Sequence, residues 1–255
     1  MDERHYLERI GSRGIDRPDL ENLRHLHRAH LLAVPFENLH IRARIPIELD
    51  VERLFDKVVR QRRGGFCYEL NGLFAELLER LGYTLARVQG QVYEQRRQRF
   101  GPPFDHMALL VTVGEDRYLA DVGFGDLFLD PLPLRVDEPL VDNGRTFRFH
   151  HDGSGQLVLK RTNGRGDVPV YRFSTDDHPF ADFAPMCRHH QTSPHSHFTQ
   201  RTVVSLALDD GRVTLTERRT ILTRNGSREE RSHDEVGFRE ALWAHFGMTV
   251  PEAFH

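Results

Sequence analysis

A nucleophile, a base and a group to orient the base all occur in this chain at positions where their chemistry is physically reasonable. Cys67 follows Arg62-Arg63-Gly64-Gly65-Phe66 and opens an apolar pattern, Leu70, Leu73, Phe74, Leu77, Leu78 and Leu81. That spacing is the signature of a helix with one buried face. A thiol at a helix amino terminus lies at the positive end of the macrodipole, beside unpaired backbone N–H groups, so its thiolate is favoured. Two adjacent glycines let the backbone approach closely and leave the sulfur accessible. Cys187, the other thiol, lacks such a setting and reads as a small buried apolar residue. The chain has 16 histidines, so position must select the base. His106 begins the apolar run 106–113, and Asp121 ends the next run. If Gly114-Glu115 is a two-residue hairpin turn, Val113 pairs with Asp116 and Ala108 lies opposite Asp121. His106 and Asp121 then share a face as diagonal neighbours, whereas a three-residue turn would separate them. Asp105 should point the other way. An Asp beside an imidazole fixes its tautomer and stabilises the imidazolium that a thiolate needs next to it.

Helices must come before strands to position these groups. Residues 1–83 read as helical. Asp16 and Pro18 mark a start, and Leu20, Leu23, Leu31 and Leu32 recur until Pro35 stops the helix,. A second helix after Asp50 carries Leu54, Phe55, Val58 and Val59 on one face and ends before Gly64-Gly65. The third is the Cys67 helix, which Gly82 closes. From about 84 to 224 the chain becomes short β-rich runs punctuated by Gly and Asp, including 108–113, 117–120, 146–150, 157–160, 203–208 and 213–216,. A final helix is expected from Ser232-x-x-Glu235, a capping box followed by Phe238, Leu242 and Phe246. Helices, then strands, then a mixed tail describe an α+β protein without internal repeats.

Composition excludes several classes. With 255 residues, 38% of them hydrophobic, the chain has enough apolar material for a core,. Its net charge of −3 and lack of a basic block argue against a nucleic-acid partner,. The longest apolar stretch, residues 31–36, is far below the roughly 18 residues of a membrane span. The charged start, Met1-Asp2-Glu3-Arg4-His5, carries no apolar stretch of a secretory signal. Two cysteines 120 positions apart suit free thiols in a reducing compartment, the cytoplasm,. The cluster His189, His190, His195 and His197 has no acid or Cys at a familiar ligand spacing, so no metal is expected. Arg96, Arg97 and Arg99 read as a solvated face. Glu69 and Asn71 read, by default, as helix-surface polarity.

The segment Arg63-Gly64-Gly65-Phe66-Cys67-Tyr68-Glu69-Leu70-Asn71-Gly72-Leu73-Phe74 resembles the nucleophile segment of arylamine N-acetyltransferases. Val34-Pro35-Phe36-Glu37-Asn38-Leu39, His106-Met107-x-Leu109-Leu110-Val111 and Ala120-Asp121-Val122-Gly123-Phe124-Gly125 resemble three more of that family's segments, in the same order. Ser193-Pro194-x-Ser196-x-Phe198 resembles a further one. The resemblance implies that Cys67, His106 and Asp121 form a catalytic triad. It implies an N-terminal helical bundle (1–83), a central antiparallel β-barrel (84–190) and a C-terminal α/β lid (191–255), with a core like that of cysteine proteases. It also implies a role for Asn71 and Glu69 in shaping the site.

The implied reaction is ping-pong acetyl transfer from acetyl-coenzyme A, as co-substrate, to an arylamine or hydrazine through acetyl-Cys67, with no permanently bound cofactor. Such a chemistry belongs to xenobiotic metabolism. Phe36 and Phe124 have two readings, walls of the acceptor pocket or core aromatics, and Gly123 and Gly125 would admit the pantetheine arm of coenzyme A. There is no phosphate loop, so the sequence does not show how the pyrophosphate is held. Three alternatives share these residues: an amide synthase of the same fold that closes a macrolactam, a thiol hydrolase, and a non-catalytic binding module.

Overall fold

The computed structural model describes residues 1–164 and 166–254. Helices carry the chain to residue 80. The helix expected from Asp16 or Pro18 runs Leu20–Ala33, and its cap is Asp19, whose carboxylate accepts the Asn22 N–H. A short helix, Glu3–Arg9, precedes it. The helix after Asp50 is interrupted: Val51–Phe55 is α-helical and Asp56–Arg60 is a π turn. The wider turn puts Lys57 inside with Val58 and Val59. Among the described residues no helix is long and apolar enough to cross a membrane.

The Cys67–Arg80 helix is more than amphipathic. All residues from Cys67 to Ala75 are buried, polar ones included. Its leucines join Leu23 and Leu26 of the earlier helix and Leu109 and Val111 of the main sheet in one core. Gly72 is required by this crowding, since a Cβ there would lie 2.3 Å from the Phe180 ring.

That main sheet has nine strands. Eight follow the order Leu132–Pro133, Asp116–Ala120, His106–Val113, Thr84–Glu94, Gly166–Phe173, Leu157–Asn163, Arg145–His151, Leu140–Asp142, and Arg99–Phe100 folds back on Thr84–Glu94. Every pairing of these strands is antiparallel. A bridge from Val136 to Phe149 brings the chain beyond the first edge against the penultimate strand, which nearly closes the sheet into a barrel,. A second sheet has five strands: Phe36–Glu37, Val204–Leu208, Gly211–Leu215, Arg219–Arg224 and Ser227–Ser232. Thus the Phe36 strand leaves the helical segment to pair with Val204 and Ser205.

Two local expectations need correction. The last helix, Glu235–Phe246, is capped by Asp234 and not by Ser232. Ser232 ends a strand opposite Arg219, whereas the Asp234 carboxylate accepts the Gly237 N–H at 2.9 Å. The boundary read at 190 falls inside the helix Ala184–Thr192.

The hairpin joining His106–Val113 to Asp116–Ala120 has the expected two-residue turn, with Val113 opposite Asp116. Gly114, at φ +62°, takes the first central position of the turn, where a positive φ suits glycine,. Alternation then sorts the side chains. Leu109, Val111 and Ala120 enter the helix-facing core, and Ala108, Leu110 and Leu119 enter the barrel,. His106 and Asp121 have the parity of the second set.

Candidate active site

Cys67 is the first residue of its helix, with Phe66 as the N-cap. The turn before it is held by charge. Glu69 accepts the Phe66 N–H at 3.1 Å through one oxygen and the Lys57 ammonium at 2.7 Å through the other. Lys57 also lies 3.7 Å from Glu37, and the Arg63 guanidinium 3.9 Å from the same carboxylate. This group of two acids and two cations is enclosed beneath Cys67. Burial raises Glu69 above the usual carboxylate range despite Lys57. Burial acts the same way on Glu37, but there Lys57 and Arg63 outweigh it and the net shift is downward.

Opposite the helix start, His106 Nε2 lies 2.8 Å from Asp121 Oδ2. The carboxylate accepts three further donors: Tyr171 OH at 3.1 Å, Asn71 Nδ2 at 2.9 Å and the Gly123 N–H at 3.0 Å. Burial by itself raises the Asp121 carboxyl, but His106, Asn71 and Gly123 together bring it below its ordinary value. An ionised Asp121 makes Nε2 the protonated ring nitrogen, which leaves Nδ1 with its lone pair. Asp105 does face away, with Oδ1 3.2 Å from His190 Nε2.

Asn71 ties the three elements together. It stands one turn after Cys67, donates to the Met107 carbonyl at 2.6 Å and to Asp121, and accepts the Val122 N–H at 2.9 Å. Default surface polarity is therefore wrong for both Asn71 and Glu69: each is fully buried. A helix enclosed on all sides has no surface position, and the leucine stripe could not reveal that.

Sequence reading also missed two groups. His27, on the Leu20–Ala33 helix, accepts the Asp121 N–H at 3.0 Å through Nε2, while its Nδ1 is 2.7 Å from the Leu129 carbonyl. Burial holds this ring in the neutral form that such a pattern requires. Tyr171 comes from the strand Gly166–Phe173, and its ring centroid is 5.1 Å from that of His106. Only the odd apolar placement of a histidine among leucines could have marked His27.

The thiol itself departs from expectation. Cys67 is 3% exposed, and burial pushes it well above the ordinary cysteine value. Cys187, Asp121 and Asp105 add to that direction, and only the Met107 backbone amide opposes it. Desolvation outweighs the helix terminus, because a thiolate loses far more hydration than a fractional dipole charge returns.

Phe124 meets the His106 ring edge-on at 5.3 Å, and Phe36 lies 6.2 Å from Phe198, which shares an apolar cluster with Cys67. At Gly123 a Cβ would come within 2.7 Å of Cys67 Cα, and at Gly125 within 3.3 Å of the Phe36 ring. Packing alone thus accounts for glycine at 123. A cleft of about 1410 Å³ lies between Ile41, Ile47, Leu49, Ala184, Cys187 and Pro194, and none of Cys67, His106 and Asp121 lines it. Among the described residues no group of three or more His, Cys, Asp or Glu could hold a metal ion. His190 is instead placed between Asp105 and the Ser196 hydroxyl, 3.3 Å away.

The sequence model of the N-acetyltransferase family matches residues 19–254. The arylamine N-acetyltransferase of Mycolicibacterium smegmatis is 36% identical over 257 residues, covering 98% of this chain and 93% of that one. Proansamycin X synthase of Amycolatopsis mediterranei (strain S699) is 32% identical over 244 residues, covering 92% of each. The solved structure of the Mycobacterium marinum arylamine N-acetyltransferase in complex with CoA is similar at a TM-score of 0.90 and 32% identity, covering 100% of this chain and 95% of that one.

Proposed function

Because the chain belongs to the arylamine N-acetyltransferase family, we propose that it moves an acetyl group from acetyl-coenzyme A to an arylamine or arylhydrazine nitrogen by a ping-pong mechanism through acetyl-Cys67. The observation that carries this reading is the His106 Nε2–Asp121 Oδ2 bond, which leaves Nδ1 as the basic nitrogen. In the first half-reaction the Cys67 proton passes to Nδ1, and the sulfur attacks the thioester carbonyl. The coenzyme A sulfur leaves and takes the proton from the imidazolium. One thioester replaces another, so the exchange is nearly balanced in energy.

In the second half-reaction the amine nitrogen attacks acetyl-Cys67, Nδ1 takes its proton, and the Cys67 sulfur is expelled. An arylamine is unprotonated at neutral pH, whereas an alkylammonium would first have to shed a proton. Phe36 and Phe124 wall the acceptor ring beside His106. Gly123 keeps its loop close to Cys67 and Gly125 keeps it close to Phe36, so the pantetheine arm approaches along its backbone. Burial of the sulfur means that its charge exists only as an ion pair with the His106 imidazolium. Asn71 and Glu69 shape the site, the first by joining Cys67's helix to Asp121 and the second by holding the helix start. The free thiols of Cys67 and Cys187 support a reducing compartment, the cytoplasm.

Mass spectrometry after incubation with acetyl-coenzyme A and no acceptor tests this reading. Wild type should gain one acetyl group on Cys67, Cys187→Ala should do the same, and Cys67→Ala should gain none. A stably acetylated Cys67→Ala protein would refute the assignment. The resemblance to Proansamycin X synthase favours one second reading, amide synthesis on a carried acyl chain. Turnover of acetyl-coenzyme A with a simple arylamine separates the two.

A further inference from the structure

Asp126, two residues beyond Phe124, is surrounded by three arginines from three different strands. Arg145 Nη1 lies 2.7 Å from Oδ1, Arg212 Nε 3.3 Å from Oδ1 and Arg161 Nη1 3.4 Å from Oδ2. Arg145 and Arg161 belong to the barrel, and Arg212 to the five-stranded sheet. One carboxylate against three guanidiniums leaves a local charge of +2. Arg212 Nε, although 3.3 Å from Oδ1, is buried and makes no hydrogen bond among the described residues, so a donor remains available. Arg212 is the costly member, because only 13% of its side chain is exposed while other cations stand beside it. Burial first, and the Arg145 charge next, disfavour its cationic form.

The location points to the reaction. Arg212 Nη1 donates to the Ser205 hydroxyl at 3.0 Å, and Ser205 is the register partner of Phe36. Gly125 packs on the Phe36 ring, and Phe124 on His106. Two peptide units separate the α-carbons of Phe124 and Asp126 by at most about 7 Å. The guanidinium fork matches the paired oxygens of carboxylate and phosphate.

We propose that Arg145, Arg161 and Arg212 around Asp126 form a subsite for an oxyanion carried by a substrate of the Cys67 site, either a phosphate of the coenzyme A donor or a carboxylate on the acceptor. The inference rests on the acetyl-transfer reading for its substrates. In a ping-pong reaction each substrate's kcat/KM reports its own half-reaction, so the two sources separate. The donor pair is acetyl-coenzyme A against S-acetylpantetheine, which lacks phosphate. The acceptor pair is 4-aminobenzoate against its uncharged methyl ester, which has the same amine. In Arg161→Gln, with Arg145 and Arg212 still holding Asp126, the charged-to-neutral ratio of kcat/KM should fall about tenfold for one pair. The pair that responds identifies the source. A ratio preserved within about twofold for both pairs, in Arg161→Gln and in Arg145→Gln, overturns the proposal and leaves the cluster a structural seam. Thermal melts with inorganic pyrophosphate and with benzoate read the subsite without chemistry. At least one anion should raise the wild-type Tm and not that of Arg161→Gln, and no rise with either overturns the proposal. Failure of wild type to acquire acetyl on Cys67 would strike the acetyl-transfer reading alone.

Discussion

The Cys67 sulfur stands at the positive end of a helix, yet it is 3% exposed and bears the field of Asp121 and Asp105. Its reactivity must therefore come from a proton acceptor and not from exposure. Alkylation by iodoacetamide, followed from pH 5 to 10, should persist near neutrality in wild type. In His106→Gln the profile should move upward by a pH unit or more, because the imidazolium that pairs with the thiolate is gone. An unmoved profile would exclude His106 as the partner. At Asp121 four donors converge on one carboxylate, two of them on each oxygen. Asp121→Asn substitutes an amide nitrogen for one oxygen, so it opposes two donors and removes the charge behind His106. Activity should fall roughly 10³-fold, by comparison with other triads. Melting curves must show a folded protein for that number to report chemistry. Asp105→Asn, which loosens His190 instead, should keep activity within about tenfold of wild type.

Between elements the tolerances are small. The loop after Asp121 lies so close to the Cys67 helix that Gly123→Ala would place a methyl 2.6 Å from Asn71 Nδ2 and 2.7 Å from Cys67 Cα. Overpacking of this kind costs about 1–3 kcal/mol. The larger effect should be catalytic, since displaced Asn71 releases Asp121. We expect a modest loss of Tm with at least a hundredfold loss of kcat/KM, and a variant of normal activity would show that the loop is free to retreat. The charged group beneath Cys67 is equally exacting. Lys57→Met would leave Glu69 with no cation and Glu37 with only Arg63 at 3.9 Å. Removing one partner of a buried pair typically costs about 3–5 kcal/mol, readable as a shift of the urea midpoint at unchanged slope. Lys57→Arg keeps the charge and should recover part of that loss.

On the scale of the molecule, several histidines are locked neutral inside it. Burial lowers His27 and His30, and brings His40 to about 4. Each therefore takes up a proton on unfolding when the pH is below its ordinary value of about 6.5. Stability from these groups is complete above that value and is lost as pH falls towards the folded one, for His40 between about 6.5 and 4. The depressed Asp121 acts with the same sign, in the lower window beneath the ordinary carboxylate value. Urea titrations should show the folding equilibrium constant falling up to roughly tenfold per pH unit, for each such histidine, below pH 6.5. His40→Gln should flatten part of that slope, and an unchanged slope would mean that His40 is exposed enough to titrate freely.

Local patterns in the chain were sufficient for the Cys67 helix and for the hairpin after His106, though not for the cap of the last helix, which is Asp234 and not Ser232. The leucine spacing after Cys67 set that helix, and Gly114 set a two-residue turn. With a two-residue turn the period of two in a strand puts His106 and Asp121 on one face and Asp105 on the other, so the pair needed no tertiary information. Contacts between distant segments were not legible. Nothing near His27 in sequence indicates that it will accept the Asp121 N–H from 94 positions away, nor does anything near Tyr171 point to the same carboxylate. Asn71 and Glu69 look like surface residues because a helical pattern shows which face is apolar, but not whether the opposite face is also covered. The Cys67 thiol shows the same limit. The dipole that favours its anion is a property of one helix and can be read locally, whereas the burial that opposes it is the sum of every element packed around the sulfur.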